Sequence, residues 1–375
     1  MDFNLSDEQT MLQDSVSRFI QNSYGFEDRK KYVAADQGFS AENWTMFAEL
    51  GWLGIPFAEE HGGFGGGALE TMMVMEEFGK GLVVEPFLAT VILGGGFLNK
   101  AGTAAQQEQL IPSIIEGKLQ LAFAYVEPQG RFNLADITTT ATANGDGYSI
   151  SGHKGVVLNG PSADKLIVTT RTSGDQRDES GITVFLVDAN AEGVSRRNYP
   201  TIDAGQGSEV TFSNVQVSAE DIIGELNNGL PLIQSVVDEG LLAVCAEAVG
   251  AMEVLYKTTV EYTKQRKQFD VAIGSFQALQ HRMVDMFIEH EQSKSLLLLA
   301  AMRLAENSDD ASKAVSALKV QIGKAGRYVG QQAVQLHGGM GQTEELNVGH
   351  YFKRLTMISH TFGNADFHLN RFGEL

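Results

Sequence analysis

Glu247 is the carboxylate whose sequence neighbours best suit acid–base chemistry. Gly240, Val244, Glu247 and Ala251 recur at i, i+4, i+7 and i+11, so an α-helix would place the Glu247 side chain on an apolar seam. A carboxylate held away from water can act as a general base. It can equally be a structural acid that is hydrogen-bonded between helices. Both interpretations of Glu247 stay open.

Other nucleophilic and metal-ligating residues are sparse. Cys245 is the single cysteine, which excludes intramolecular disulfides and CxxC metal sites, and its apolar helical neighbours predict a buried packing thiol. His337 and His360 could titrate near neutrality. His281 and His290 lie on a predicted long helix without metal-ligand partners at i+4. The sequence therefore predicts no metal site.

The composition is that of an acidic globular protein. Of the 375 residues, 43% are hydrophobic and 20% are charged, which is sufficient for more than one structural unit. The net charge of −19 argues against nucleic-acid and anionic-membrane partners, because both require clustered cations. No signal peptide and no bilayer-spanning stretch is evident, so we expect a soluble, cytoplasmic protein.

Helical periodicity marks the first of three segments, residues 1–118. Ser6 is a candidate N-cap for an amphipathic helix, and helices are also predicted at 70–78 and 104–115. Glycine clusters at 62–67 and 94–96 lack the strand–loop–helix context of a phosphate loop, so we expect both to connect helices.

The two remaining segments differ in their predicted secondary structure. Residues 119–225 predict an antiparallel β-domain, with strands at 136–142, 148–152, 165–170, 182–187 and 209–217 and a hairpin turn at 144–147. Residues 226–375 return to a helical period, with long helices expected at 230–265, 276–305 and 311–337. The predicted fold class is therefore α+β.

Four motifs follow one another along the chain. They are Gly51-Trp52-Leu53-Gly54-Ile55-Pro56, Phe123-Ala124-Tyr125-Val126-Glu127-Pro128, Arg266-Lys267-Gln268-Phe269 and Gln335-Leu336-His337-Gly338-Gly339-Met340-Gly341. Each is weak alone, but together they resemble the acyl-CoA dehydrogenase family along the whole chain. The resemblance implies a helical N-terminal domain, a middle antiparallel β-domain and a C-terminal four-helix bundle. It also implies FAD-dependent α,β-dehydrogenation of an acyl-CoA thioester, in which a carboxylate removes the α-proton.

The resemblance further implies a FAD site shared by two subunits, with the flavin ring on one β-domain and the pyrophosphate and adenosine in the neighbouring bundle. The residues at the family's cofactor positions in the bundle are Arg266, Gln268, Phe269, Gln335, Gly338, Gly339, Asn364 and Asp366. A guanidinium can neutralise pyrophosphate, and glycine allows close approach of a dinucleotide. The alternative is a solvated arginine and a glycine that merely ends a helix.

The half of the site that would hold the flavin ring departs from the family pattern. Val126 replaces a threonine, residues 129–134 replace a small polar loop, and residues 156–159 (Val-Val-Leu-Asn) replace the element that stacks on the ring. A buried flavin edge left without hydrogen-bond partners costs about 1–3 kcal/mol per group. The sequence therefore predicts that this half is eroded.

The family's positions for the catalytic base are altered as well. Phe362 stands at the commoner position, and Gly240 stands at the other, with Leu241 in place of the following arginine. Neither Phe362 nor Gly240 can accept a proton. Glu247 and Asp366 are the candidate substitutes, and the identity of the base stays unknown.

We therefore expect a small subunit of a heteromeric acyl-CoA dehydrogenase, similar to the pimeloyl-CoA dehydrogenase type and to partners in fatty acid or steroid side-chain degradation. It would complete the FAD site of a larger catalytic subunit in a hetero-oligomer such as a heterotetramer, with an electron-transfer flavoprotein as electron acceptor. One alternative is a self-sufficient acyl-CoA dehydrogenase, homo-oligomeric, that uses Glu247 or Asp366. The other is a non-redox acyl-CoA-binding or scaffolding protein.

Overall fold

The computed structural model describes residues 5–375. These residues form two compact units. The first unit comprises residues 5–31, 67–83 and 241–375, and the second comprises 32–66 and 84–240. The division falls within one long helix, between Gly240 and Leu241.

The α-helices are α1 (Asp7–Ser23), α2 (Phe26–Val33), α3 (Ala41–Glu49), α4 (Ala68–Gly81), α5 (Gly95–Ala101), α6 (Ala104–Ile115), α7 (Leu230–Gln265), α8 (Gln277–Ala305), α9 (Ala311–His337), α10 (Asn347–His360) and α11 (Ala365–Glu374). The strands are β1 (Leu121–Ala124), β2 (Thr140–Asn144), β3 (Gly147–Leu158), β4 (Lys165–Arg171), β5 (Ile182–Asp188), β6 (Val194–Pro200), β7 (Gln206–Ser218), β8 (Ile222–Ile223), β9 (Lys267–Gln268) and β10 (Val271–Ala272). No helix among residues 5–375 has the length and apolarity needed to cross a membrane.

The first unit is a helical bundle built on α7 to α10, with α11 packed on α9 and α1 packed on α4. Every residue of α7 from Leu241 to Met252 is buried, which is expected for a helix surrounded by other helices. Helix α4 crosses α7 at backbone contact distance. A Cβ atom on Gly250 would lie 1.9 Å from the Glu76 carbonyl oxygen, and one on Gly79 would lie 2.0 Å from the Glu247 carbonyl oxygen, so glycine is required at both positions.

The second unit contains an eight-stranded sheet in the order β6-β7-β3-β2-β4-β5-β8, and β1 pairs in parallel with β4. The β2–β3 hairpin turns at Gly145 and Asp146, with Asn144 opposite Gly147, as the sequence predicts. Alternate side chains of the strands bury one apolar core, whose largest members include Ile150, Leu166, Phe185 and Phe212. The predicted α+β fold class and the order of its helical and β parts are confirmed.

Two local predictions are wrong. Residues 94–96 do not connect helices, because a π-helix (Leu88–Gly94) continues directly into α5. Glycines are needed there for packing: a Cβ on Gly94 or Gly95 would lie 2.5 Å from the Leu121 side chain or the Phe57 ring, respectively. Sequence periodicity does not reveal such a close contact.

The first β-strand predicted after the Glu-Pro motif starts at Thr140 rather than at Asp136. The amides of Thr138 and Thr139 donate to the Glu127 carboxylate, at 2.8 and 3.1 Å, instead of to a neighbouring strand. Asp136 accepts hydrogen bonds from Gln176 and Arg177 at 2.6 and 2.8 Å. A carboxylate thus takes the place of the strand ladder in this segment.

Candidate functional site

The end of α9 carries the two glycines predicted to approach a cofactor. The Gly338 amide donates to the Gln335 carbonyl, and Gly338 adopts φ 61° and ψ −144°, a conformation that essentially only glycine tolerates. Gly339 has no such backbone constraint, and a Cβ placed on it would have no atom within 4 Å. The backbone conformation therefore explains the glycine at 338, whereas neither backbone conformation nor packing within residues 5–375 requires the glycine at 339.

Arg266 follows directly after α7. Its amide donates to the Tyr262 carbonyl and its carbonyl accepts from the Ile273 amide, both at 2.8 Å, so the backbone at this point is fixed on both sides. The guanidinium is exposed and makes no hydrogen bond or ion pair within residues 5–375. The Gln335 side chain is also exposed, with no such partner in the same part of the chain. Both polar side chains are thus available to a ligand.

The β9–β10 hairpin beside Arg266 presents an aromatic ring to solvent. Gln268 pairs with Val271 across a two-residue turn, in which Phe269 and Asp270 both have positive φ, 55° and 62°. Phe269 is 86% exposed, and the Gln268 side-chain amide donates to the adjacent Lys267 carbonyl at 2.9 Å. A bulky residue in a left-handed turn that favours Asn or Gly is a strained choice for the isolated chain.

The turn between α10 and α11 contains the commoner family position for the base. Phe362 is buried there with φ 58°, and Gly363 follows with φ 119°. Asn364 caps α11 by accepting a hydrogen bond from the Phe367 amide at 2.9 Å, and Asp366 is exposed in the first turn of that helix. Of the residues predicted here, Asn364 has a helix-capping role and the Asp366 carboxylate has no hydrogen bond or ion pair within residues 5–375.

Side chains of α9 and α11 hold this turn in place. The buried His368 bonds through Nε2 to the Phe362 carbonyl at 3.0 Å, and Nδ1 lies 3.5 Å from the Ser316 hydroxyl. The fully buried Lys319 donates to the Ile358 carbonyl, and burial lowers the pKa of its ammonium group to about 8. The segment is therefore rigidly built around an apolar side chain at position 362.

Glu247 is paired with Arg354 of α10. The guanidinium donates from Nε to Oε1 at 2.5 Å and from Nη2 to Oε2 at 2.6 Å, and the Glu247 side chain is 4% exposed. Such two-point contact satisfies both carboxylate oxygens and orients them. The sequence offered one signal for this partner: Arg354 lies among Tyr351, Leu355 and Ile358, the buried residues of amphipathic α10.

The early part of α7 contains the second family position for the base. Gly240 is buried, and the adjacent Glu239 forms an ion pair with Lys100 at 2.8 Å. One residue along a helix turns a side chain by about 100°, so the Glu239 carboxylate does not stand in for a group at position 240. Position 240 itself provides no functional group.

In the β-domain, the positions expected to contact a flavin ring are apolar or already bonded. Val126 forms a β-bridge with Val156, and its carbonyl accepts from the Gly155 amide at 2.8 Å. The Asn159 side-chain amide donates to the Leu121 carbonyl at 3.2 Å, whereas Val156 is 40% exposed. No side chain at 126 or 156 can donate to or accept from a flavin edge.

A buried ion pair that sequence reasoning missed lies next to Val126. Lys154 donates to Glu127 at 2.8 Å and to the Thr169 hydroxyl at 3.0 Å, and both charged side chains are fully buried. Although burial opposes it, the charge of Lys154 together with hydrogen bonds from Lys154 and Thr138 lowers the pKa of Glu127 to about 2. This network holds the segment after Val126 in place. Residues 5–375 contain no cluster of His, Cys, Asp and Glu suited to a metal ion.

Comparison with known proteins agrees with this architecture. The sequence matches three family models. They are "Acyl-CoA dehydrogenase, N-terminal domain" over residues 6–118, "Acyl-CoA dehydrogenase, middle domain" over 122–215 and "Acyl-CoA dehydrogenase, C-terminal domain" over 227–374. A short-chain-specific acyl-CoA dehydrogenase from Megasphaera elsdenii is 31% identical over 375 residues, covering 96% of this chain and 95% of that protein.

Solved structures give the same result. A chain of the ChsE4-ChsE5 complex from Mycobacterium tuberculosis has a TM-score of 0.90 and 28% identity, covering 100% of this chain and 98% of that chain. The FAD complex of PigA has a TM-score of 0.93 and 26% identity, with coverage of 100% and 98%. The chain belongs to the acyl-CoA dehydrogenase family. This is a family of FAD-dependent oxidoreductases that act on CH–CH bonds.

Proposed function

We propose that this chain is the small subunit of a heteromeric acyl-CoA dehydrogenase and that it completes the FAD site of a larger catalytic partner. The observation that carries the proposal is the loss of the base. Phe362 and Gly240 occupy the two family positions, and both oxygens of Glu247 are engaged by Arg354. A chain without a free carboxylate at these positions depends on another subunit to remove the α-proton.

The bundle half of the site suits the pyrophosphate and adenosine of FAD. The exposed Arg266 guanidinium can neutralise a phosphate, and the open space at Gly339 allows a dinucleotide to approach the backbone. Gln268 and Phe269 follow Arg266, Gln335 and Gly338 precede Gly339, and Asn364 and Asp366 lie where α11 begins; these six residues complete the proposed contacts. Bound FAD supplies the hydride acceptor of the reaction.

The β-domain half does not suit the flavin ring. Val126 and Val156 offer no polar group, and the Asn159 amide is used within the chain. A ring seated there would leave its polar edge unsatisfied, at a cost of about 1–3 kcal/mol for each group. The asymmetry supports a cofactor whose ring lies on the partner and whose pyrophosphate and adenosine lie on this chain.

The ChsE4-ChsE5 neighbour is, by its name, a complex of two different proteins, which supports a heteromeric assembly for this chain. We further propose that acyl-CoA binds to this assembly and that an electron-transfer flavoprotein accepts the electrons. The three domains would span residues 1–118, 119–225 and 226–375.

Purification of the chain alone and together with a larger homologue encoded next to it tests the proposal. The chain alone should be colourless and inactive with acyl-CoA and a dye acceptor, whereas the co-purified pair should be yellow and active. A yellow, active chain without any partner would overturn the subunit role. A pair that forms without flavin would indicate an acyl-CoA-binding or scaffolding protein instead.

One observation favours a second candidate function, a self-sufficient acyl-CoA dehydrogenase. The exposed Asp366 carboxylate lies two residues beyond the cap of α11 and has no bonded partner within residues 5–375. If Asp366 is the base, Asp366→Asn abolishes flavin reduction in the chain purified alone. If it contacts only solvent or cofactor, the substitution leaves the activity of the assembly within a small factor of the original.

A further inference from the structure

A tyrosine–histidine contact joins two of the stretches of the bundle that carry the proposed cofactor residues, the one at Arg266 and the one at Gly338 and Gly339. The ring of Tyr262 on α7 stacks on the ring of His337 at the end of α9, with centroids 4.2 Å apart and an interplanar angle of 28°. The Tyr262 hydroxyl donates to the His337 carbonyl at 3.4 Å. His337 is 4% exposed, and Tyr262 is half-buried.

Both members of this contact are bonded directly to the backbone of the site. The Tyr262 carbonyl accepts the Arg266 amide at 2.8 Å, which fixes the start of the segment that leaves α7. His337 immediately precedes Gly338, and its Nδ1 donates to the Ala333 carbonyl at 2.8 Å. Burial lowers the pKa of the His337 imidazole, although the hydrogen bond to Ala333 opposes the change. A neutral ring stacked on tyrosine therefore links the position of Arg266 to that of the glycine turn.

We propose that Tyr262 and His337 form a positioning clamp that sets the spacing between Arg266 and the glycines at 338 and 339, and so determines how tightly the bundle holds FAD. The proposal rests on the function proposed above, because it assigns these two stretches to one dinucleotide. Neither clamp residue is a catalytic residue. Each acts through the backbone that it fixes, and small displacements of binding groups reduce affinity sharply.

Helix α7 also contains an internal control for ordinary packing. Tyr256 lies six residues earlier on α7 and is half-buried, and its ring lies 5.2 Å from that of the buried His290 on α8. Six residues of helix separate the two tyrosines by about 9 Å. Tyr256 bonds to neither Arg266 nor the glycine turn, so its loss should affect stability without affecting the cofactor site.

The experiment titrates FAD into the flavin-free, full-length protein in the assembly in which it purifies, and follows the change in flavin fluorescence. The variants are Tyr262→Leu, Tyr262→Phe, Tyr256→Leu and Arg266→Ala, and the melting temperature of each is recorded alongside. Tyr262→Leu should raise the Kd for FAD about tenfold, and Tyr262→Phe, which keeps the stacked ring, should raise it less. Tyr256→Leu should lower the melting temperature comparably and leave the Kd unchanged.

The outcomes separate this proposal from the one on which it rests. If Arg266→Ala weakens FAD binding but Tyr262→Leu weakens it no more than Tyr256→Leu does, the clamp is wrong and the cofactor site stands. If Arg266→Ala leaves FAD binding unchanged, the proposed bundle half of the site is wrong, and the clamp falls with it. If Tyr262→Leu raises the Kd for FAD more than Tyr256→Leu does, and Arg266→Ala also raises it, the results support both the clamp and the cofactor site.

Discussion

Replacing Arg354 with methionine should destabilise the helical bundle severely, because it leaves a buried carboxylate without its partner. The Glu247 side chain is 4% exposed, whereas that of Arg354 is 25% exposed, so the two members of the pair differ in their access to water. Removal of one partner from a buried ion pair typically costs about 3–5 kcal/mol. Glu247→Gln should cost less, about 1.5–3 kcal/mol, because the amide keeps a hydrogen bond and Arg354 can be partly solvated.

Thermal unfolding followed by far-ultraviolet circular dichroism measures both effects. For a folding unit of 150–250 residues each kcal/mol lowers the Tm by roughly 2–4 °C, so Arg354→Met should lower it by roughly 6–20 °C. Arg327→Met, which removes an exposed arginine of α9 that makes no hydrogen bond or ion pair within residues 5–375, serves as a comparison and should lower it much less. An unchanged Tm for Arg354→Met would refute the structural role of the Glu247–Arg354 pair. So would a Glu247→Gln variant of normal Tm that has lost acyl-CoA-dependent flavin reduction.

Three further changes address the β-domain, the helix crossing and the exposed hairpin. Lys154→Met should destabilise the β-domain at neutral pH, because it leaves the buried Glu127 carboxylate without its cationic partner. The pKa of Glu127 is about 2 in the folded chain against 4.5, so its stabilising contribution is present above pH 4.5 and is lost as the pH falls toward 2. The difference in the free energy of unfolding between wild type and variant, measured with urea, should therefore narrow over that range. Gly250→Ala should cost roughly 1–3 kcal/mol or more, since its Cβ would lie 1.9 Å from a carbonyl oxygen of α4, whereas Gly373→Ala, with nothing within 4 Å, should be neutral in the same melting assay. Phe269→Asn should relieve part of the left-handed backbone strain, which is about 1–2 kcal/mol per residue, and raise the Tm of the flavin-free chain. It should also weaken FAD binding in the fluorescence titration; a lower Tm would contradict the strain argument.

The sequence predicts the elements of this fold well where local periodicity decides them. The predicted bounds of α7, residues 230–265, agree with the structure because the helical apolar period runs through the whole stretch and its one proline, Pro231, lies in the first turn, where proline is tolerated. The hairpin at 144–147 also agrees with the structure, because its turn residues fix the register of the two strands. Gly94 was misjudged because its neighbour, Leu121, comes from a different element.

The candidate site depends more on contacts that connect distant parts of the chain. The sequence places Glu247 on the buried face of α7, but only the packing of α10 on the bundle supplies Arg354 as its partner. Likewise, the motifs locate Arg266 and Gly338 without indicating that the Tyr262 and His337 rings join them. Residue types and spacing thus identify which groups are present, and tertiary packing decides which of them are free to act.

The ratio of FAD to protein in the purified assembly tests the central claim most directly. This chain is proposed to contribute only the bundle half of a FAD site, and its β-domain is proposed not to bind a flavin ring. An assembly with equal numbers of this chain and its larger partner should therefore contain one FAD for each pair of subunits. Quantitative flavin release combined with native mass spectrometry gives that ratio. One FAD for every copy of this chain, in a protein that contains no other subunit, would contradict the account.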